Sequence, residues 1–502
     1  MVFSECWLQE LHGGVIMSRV TIVIVALLIF TGCASTSRFP AATPSRPMLT
    51  WLSVSRDADF KRGVDTLIAD SLFPPSNLGL KIVSAATGEV LYDLNSDMLF
   101  NPASNQKLVT AATALKLLGP KFPLRTLVVA DTSKALLWIK GLGDPLLSTE
   151  DMDSLARAVK AKIAGARPWK VVADVSYFDD LYWGSGWAWD EEPAAYGMFI
   201  SPLILNNNTV AVEVRPGEKL GEQARVAISP STSFMSIENT AVTIADTPIT
   251  EKLQISRRWK ERSNIVTVQG QMLPSSHLAK EQLSVWKPEL YAATVFAEKL
   301  GLLGIPVATV TVDTAQHNGV TIAEYSHTLD TVVTFMNKVS DNLSAEALLK
   351  IVAAETYKIP GCAAVGASLA RQTLSGWGVD TSKISIVDGS GLSRYDLTSA
   401  STMVRLLQGM YRDSLLFPAF YHSLPVAGVD GTIDRRMRGT PAAGNLRAKT
   451  GSLTAVSALS GYVQSSSGET FIFSILMQGF PGSTRSYRQV QDRVGEFLAG
   501  WK

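Results

Sequence analysis

The chain has 502 residues, 46% hydrophobic and 18% charged, with 46 Lys and Arg set against 45 Asp and Glu. That length exceeds one ordinary core, so two or three domains are expected. A formal net charge of +1 gives no bulk electrostatic reason to bind nucleic acid, and five scattered histidines without cysteine pairs at ligand spacing argue against a metal site.

Residues 1–33 read as an export segment: Arg19 precedes an apolar run, Val20 to Phe30, that ends in Thr31-Gly32-Cys33-Ala34-Ser35. The run is shorter than the roughly 20 residues that cross a bilayer comfortably. Cys33 directly after Gly32 resembles a lipobox, with Phe30 where an aliphatic residue is usual. Two readings stay open here, a lipidated Cys33 that tethers the protein to a membrane and a plain secretory signal with an incidental cysteine. The export pattern runs better from Met17 than from Met1. Residues 34–50, rich in Ser, Thr, Pro and Ala, read as a tether to the folded body.

Residues 51–125 supply the first part of a folded domain. Leu80–Ser84 and Glu89–Asp93 flank Ala85-Ala86-Thr87-Gly88, a hairpin signal. After Ser104, Leu108, Ala111, Ala112, Leu115 and Leu118 recur at steps of three and four until Gly119-Pro120, which puts Ser104 at the start of an amphipathic helix. Residues 126–287 change texture. Short β-type runs (Thr126–Ala130, Leu136–Ile139, Val171–Val175, Val210–Val214, Ile265–Val268) alternate with Gly, Pro and Asn turns, and one helical pattern, Met152–Ile163, interrupts them. This stretch reads as an inserted, mostly β domain or pair of domains.

Residues 288–502 supply the second part. Helical patterns cover Pro288–Leu300, Leu329–Val339 and Leu343–Ala354, so Ser340-Asp341-Asn342 falls on a short loop between two helices. Leu446–Leu453 alternates like a strand, Leu459–Val463 and Thr470–Met477 flank a turn, and Asp492–Leu498 closes the chain as a helix. Helices on an antiparallel sheet with strands from both chain ends make an α+β domain interrupted by the insert.

Three strings in this order carry chemistry: Ser104-Asn105-Gln106-Lys107, Ser340-Asp341-Asn342 and Lys449-Thr450-Gly451. Each alone is common. Together they resemble the motif set of penicillin-binding proteins and serine β-lactamases. A serine hydroxyl needs a base within reach, and Lys107 lies one turn from Ser104 on the same helix face. The lysine serves as that base only if desolvation or nearby positive charge lowers its pKa, and Lys449 is a candidate for that charge. The helix N-terminus favours negative charge near Ser104, whose N–H can help hold an oxyanion. The resemblance implies that the N–H of Ser452 is the second oxyanion donor and that Ser340 relays a proton to the leaving amine. It also implies that Asn342 holds the substrate amide, and that Lys449 and Thr450 bind the terminal carboxylate, with Gly451 completing that substrate-binding strand.

Four further strings narrow the branch: Gly141–Pro145, Ser201–Asn206, Asp388–Arg394 and Pro425–Thr432. With the long insert, they resemble the type-4 low-molecular-mass penicillin-binding proteins, D-alanyl-D-alanine carboxypeptidases and endopeptidases of the S13 peptidase family. The resemblance runs from about Leu80 to the C-terminus. It implies a cell-envelope hydrolase that forms an acyl-enzyme on Ser104 with peptidoglycan stem peptides, is inhibited by β-lactams and needs no cofactor. Gly141-Leu142-Gly143 has no phosphate cradle after it, so no nucleotide is expected. Some relatives read the free amine and carboxylate of a diaminopimelate side chain with an acid and an arginine. Asp190 and Arg394 stand at those positions, although Asp190, in an acidic run with Glu191 and Glu192, also reads as a solvated loop charge and Arg394 as a surface charge on a turn. The alternative enzyme is a serine β-lactamase, which needs a deacylating glutamate. Glu346 follows the second string but lacks the expected sequence context.

Overall fold

The computed structural model describes residues 50–69, 76–163, 167–245, 248–314 and 319–502. The expected export segment, Cys33 and all of the tether before Thr50 lie outside these residues. Among the described residues no helix is long and apolar enough to cross a membrane. Thr50–Ile68 form helix α1.

The architecture is α+β, and its central sheet joins both ends of the sequence. Strands β1 (Asn77–Ser84) and β2 (Val90–Leu94) pair antiparallel, and β1 continues into three strands from the far end of the chain. The inserted region contributes β3 (Pro123–Asp131), β4 (Leu136–Gly141), β5 (Trp169–Asp174), β6 (Thr209–Arg215), β7 (Arg225–Ser229), β8 (Ser236–Asn239) and β9 (Val242–Thr243). It continues with β10 (Gln254–Arg257), β11 (Ile265–Gln269), β12 (Gln271–Met272), β13 (Ala279–Ser284), β14 (Val307–Asp313) and β15 (Val320–Thr328). The C-terminal strands are β16 (Arg447–Leu453), β17 (Val456–Gln464) and β18 (Thr470–Gln478), so the central sheet runs β16-β17-β18-β1-β2.

The central strands β17 and β18 are buried along nearly their whole length, which requires cover on both faces. Helix α10 (Arg485–Gly500) covers one face, with Gln491 donating to Ser457 Oγ at 3.0 Å. Helix α8 (Ala400–Arg412) covers the other, where Tyr462 Oη donates to the Leu407 carbonyl at 2.8 Å. Ser457 and Tyr462 are an odd number of residues apart on β17, so they point to opposite faces.

The insert is less purely β than the sequence texture suggests. Its largest sheet, β14-β5-β4-β3-β15, is mixed: β14, β5 and β4 are parallel, and β3 and β15 are antiparallel additions. A parallel β4–β5 pair needs a crossover, which helix α3 (Thr149–Lys160) provides. Its start is fixed by a capping box in which Ser148 Oγ accepts from Asp151 N and the Asp151 carboxylate accepts from Ser148 N. Helix α4 (Pro288–Leu302) shares the insert's core, where Tyr291 and Phe296 pack with Ile139, Val171, Met152 and Leu155. The sheet is completed by β14 and β15, which lie beyond residue 287, where the insert was expected to end. Those two strands are mostly exposed and polar on one side, which hid their membership.

Helix α2 (Gln106–Leu118) precedes the insert, and α5 (Leu329–Val339), α6 (Asn342–Tyr357), α7 (Ala363–Gly376), α8 and α9 (Phe417–Ser423) lie between it and the C-terminal strands. Helix α2 is not amphipathic as expected: Gln106 through Leu115 are all buried, because α5, α6 and α7 pack around it. Its Ala111, Ala112 and Ala114 keep it thin enough for that position. Thus the helix that follows Ser104 is the central element of its layer.

Candidate active site

Ser104 lies on a single 3-10 turn, Ala103–Asn105, that feeds directly into α2. The turn is strained: Ala103 has φ +44°, a region non-glycine residues avoid. Two close approaches hold it there. Gly391, at φ +78°, sits so near the turn that a Cβ would stand 1.8 Å from the Ala103 carbonyl oxygen. Gly451 sits on β16 where a Cβ would stand 2.6 Å from the Pro102 carbonyl oxygen. Gly451 was expected to serve substrate binding; its observed contact is with the nucleophile turn, which lets β16 approach Ser104. Asn101 braces the turn from below, donating to the Ser393 and Asp396 carbonyls and accepting from Ala103 N at 2.9 Å.

Lys107 is fully buried, and three oxygens surround its amine: Ser104 Oγ at 3.1 Å, Asn342 Oδ1 at 2.7 Å and the Ser390 carbonyl at 2.8 Å. Burial pulls its pKa down to about 8, against the opposing pull of nearby acids, Asp388 first. At that value a sizeable neutral fraction exists near physiological pH. A neutral amine has two N–H donors and one lone pair. Asn342 Oδ1 and the Ser390 carbonyl take those two N–H donors, so the lone pair is left for the Ser104 hydroxyl.

Lys449 is also fully buried and donates to Ser340 Oγ at 2.8 Å and to the Thr450 carbonyl at 3.0 Å. Its pKa is lowered strongly, first by burial and then by the charge of Lys107. The expected influence ran the other way, from Lys449 onto Lys107. Burial, not the second lysine, lowers the candidate base.

The second string folds as expected between two helices. Ser340 closes α5 with φ +64°, and Asp341 caps α6, its carboxylate accepting from Ser344 N at 2.7 Å. The first helical residue is Asn342, which bonds Lys107 with Oδ1 and donates to the Tyr196 carbonyl with Nδ2 at 2.8 Å. Both ends of this amide, expected to hold substrate, are therefore engaged within the protein. The polar contacts fall into two groups, Ser104–Lys107–Asn342 and Ser340–Lys449.

The outer residues are more open. Thr450 donates to Thr432 Oγ1 at 2.8 Å, and Ser452 Oγ, on the exposed end of β16, accepts from Arg488 at 3.1 Å. Strand β16 is an edge strand. The Pro425–Ala427 segment covers its start by bonding Leu446–Ala448, and beyond that no described strand pairs its outer side. Asp190 is exposed on the 3-10 turn Trp189–Glu191. Arg394, also exposed, donates to the Thr454 carbonyl at 2.9 Å, beside the end of β16. The segments that carry these two residues meet: Trp187 Nε1 donates to Asp388 Oδ2 at 3.1 Å, and a Cβ on Gly186 would stand 2.5 Å from the Tyr395 ring.

Glu346 is fully buried, and its carboxylate accepts from Gly389 N at 3.1 Å and Ser390 N at 2.9 Å. It is spent on backbone and offers no free oxygen to a hydrolytic water. Sequence reasoning singled out Glu346 and the Asp388–Arg394 string without seeing that their acids face inward, and it missed Asp396, whose only signal is an acid two residues after that string.

Comparison with known proteins shows the family and the fold. Residues 60–500 match the family model described as the D-Ala-D-Ala carboxypeptidase 3 (S13) family. A D-alanyl-D-alanine carboxypeptidase from Actinomadura sp. is 34% identical over 482 residues, covering 90% of this chain and 87% of its own. The D-alanyl-D-alanine carboxypeptidase DacB of Haemophilus influenzae is 26% identical, covering 81% of this chain and 86% of its own. The crystal structure of penicillin binding protein 4 from H. influenzae superposes with a TM-score of 0.77 at 24% identity, covering 87% of this chain and 99% of that one. A second structure of that protein, complexed with a β-lactam, gives a TM-score of 0.70 at 23% identity, over 88% of this chain and all of that one. These structures show the shared fold.

Proposed function

The chain belongs to the S13 family of D-Ala-D-Ala carboxypeptidases, and from that membership we propose that it hydrolyses D-alanyl-D-alanine bonds of peptidoglycan stem peptides through an acyl-enzyme on Ser104. The observation that carries this reading is the Lys107 amine, buried and held by two fixed acceptors with its third contact on Ser104 Oγ. Neutral Lys107 accepts the Ser104 proton as Oγ attacks the carbonyl of the penultimate D-alanine. The N–H groups of Ser104 and Ser452 receive the oxyanion, within the field of the α2 N-terminus. Lys449 and Ser340, in contact at 2.8 Å, deliver a proton to the departing amine. Once the Lys107 proton has replaced the one the Ser340–Lys449 pair gave up, neutral Lys107 takes a proton from the attacking water and returns it to Ser104 Oγ as the ester is cleaved. Lys449 and Thr450 meet the terminal carboxylate, and the open edge of β16 pairs the peptide backbone.

A β-lactam follows the first half of this path. Its ring amide opens on Ser104, but the amine stays tethered to the acyl group and obstructs water. The same acyl-enzyme cuts a D,D cross-link when the leaving amine belongs to a neighbouring stem, so carboxypeptidase and endopeptidase turnover share one site. Purified protein incubated with benzylpenicillin is expected to gain the drug's mass on the peptide containing Ser104, and to release D-alanine from a pentapeptide stem. Rapid drug turnover without an adduct would instead make it a lactamase.

Asp190 and Arg394 form the reader of a diaminopimelate end in this proposal, the acid for its ammonium and the arginine for its carboxylate. Asp190→Asn and Arg394→Ala are each expected to raise KM about tenfold for a stem peptide bearing that free end, about 1.4 kcal/mol. Benzylpenicillin, which lacks the group, should acylate both variants within about threefold of the wild-type rate. Equal losses for both reagents would remove the two residues from the reader. Export by residues 1–33, with a lipid on Cys33 and residues 34–50 as a tether, places the site at the cell envelope, where its substrate is found.

A further inference from the structure

The loop Asp388–Ser393 has nearly all its inner backbone bonded to buried side chains. Its first three carbonyls accept from α2: Asp388 from Gln106 at 3.5 Å, Gly389 from Thr110 at 2.6 Å and Ser390 from Lys107 at 2.8 Å. Its N–H groups go to acids. Gly389 and Ser390 donate to Glu346, while Gly391 and Ser393 donate to Asp388 at 2.7 and 2.8 Å. Glu346, Asp388 and Asp396 are all fully buried.

Asp388 and Asp396 stand in carboxyl-to-carboxyl contact. Two ionised carboxylates do not share a dry site at that range. Asp388 already accepts from four donors, Gly391 N, Ser393 N, Trp187 Nε1 and Ser390 Oγ. Asp396 accepts only from Val387 N, through Oδ1 at 2.8 Å, and no N–H or hydroxyl donor reaches its buried Oδ2. The proton therefore belongs on Asp396, and burial together with the Asp388 charge raises its pKa well above the usual carboxylate range.

We propose that Asp396, Asp388 and Glu346 are positioning residues for acylation: Asp396 donates a proton to Asp388, and Asp388 with Glu346 fixes the loop whose Ser390 carbonyl aims the Lys107 amine at Ser104. The inference rests on the acyl-serine reading above and adds a device to it. Glu346 lies four residues after Asn342 on α6, so one helix face anchors both fixed acceptors of Lys107, one directly and one through the loop. The titratable groups facing Lys107 are Asp388, Asp341, Glu346 and the protonated Asp396, with Lys449 beyond the serines. Burial and the Asp388 charge push Glu346 up to about 7, so it too is largely ionised where Lys107 titrates.

The test is the acylation rate by a fluorescent penicillin across pH, with thermal unfolding alongside. Asp396→Asn keeps a donor toward Asp388 and an acceptor for Val387 N, so its rate should stay within about twofold and its pH profile should not move. Asp388→Asn turns an amide donor toward backbone N–H groups and removes the largest negative charge acting on Lys107. Its plateau rate should fall about tenfold or more, and its rise should move to lower pH by about 1. Glu346→Gln should move the rise in the same direction by less. An Asp396→Asn profile displaced as far as that of Asp388→Asn overturns the placement of the proton. Slower acylation with an unmoved profile in Asp388→Asn reduces that residue to a structural role and overturns the proposal. If Asp388→Asn does not fold, Glu346→Gln decides by the same criterion. A wild-type protein with no adduct on Ser104 is a separate result, which removes the acyl-serine reading itself.

Discussion

Ser104→Ala is expected to abolish the covalent β-lactam adduct and to lower D-alanine release by about 10⁴-fold or more. The prediction is this large because no neighbouring nucleophile can stand in. Ser340 is bonded to Lys449, not to the candidate base, and it leaves a strained helix end whose φ of +64° fixes its direction. The same substitution should leave the fold almost untouched. Lys107 retains Asn342 Oδ1 and the Ser390 carbonyl, so no buried donor is stranded when Ser104 Oγ is removed. The turn itself is held by Gly391, Gly451 and Asn101, none of which touches the hydroxyl. The melting temperature should therefore stay within about 2 °C of wild type. Intact-mass analysis after drug treatment and D-alanine release by the two proteins check both halves. An adduct that persists in Ser104→Ala places the nucleophile elsewhere, whereas a protein that unfolds leaves the hydroxyl with a structural role.

The strings that name this chemistry were legible because each depends on local pattern. Leu329, Val332, Val333 and Met336 recur on one face and stop at Ser340, and α5 ends there. The steps after Ser104 likewise placed it at a helix start. Those steps could not show that α2 is buried all round, since its threonines and alanines read as a polar or neutral face until other helices close over them. Long-range pairing was equally out of reach. Strands β14 and β15 look like exposed alternation after a helix, and only their pairing with β5 and β3 assigns them to the insert. Electrostatics was legible only as two alternatives, desolvation or a second positive charge, and the burial that lowers Lys107 depends on the helices packed around α2. The Asp388–Arg394 string was visible as a motif. That its acids face inward, holding a loop against α2, follows only from the folded backbone.

Lys107→Arg isolates the base from the charge. Arginine keeps the positive charge at position 107 but stays protonated at every working pH and has no lone pair to offer Ser104. Its acylation rate should fall about 10³-fold or more, at the upper range of what a positioned base contributes. The wild-type pH profile carries the complementary signal. The reactive form is the neutral amine, and burial sets its pKa at about 8. The rate should climb about tenfold for each pH unit up to that value and flatten above it. Stability follows the same titration. The folded pKa of about 8 lies below the ordinary value of 10.5, so between the two the unfolded chain binds the proton more readily. Wild-type stability relative to Lys107→Met should therefore be flat below pH 8 and rise with pH across that window. Below it the lysine is charged in both states, and the cost of burying that charge is fully present. In Lys107→Arg the rise in rate should vanish along with the rate itself. A variant that stays slow yet keeps the wild-type slope would show that another group titrates, and Lys107 would then hold Ser104 in place without taking its proton.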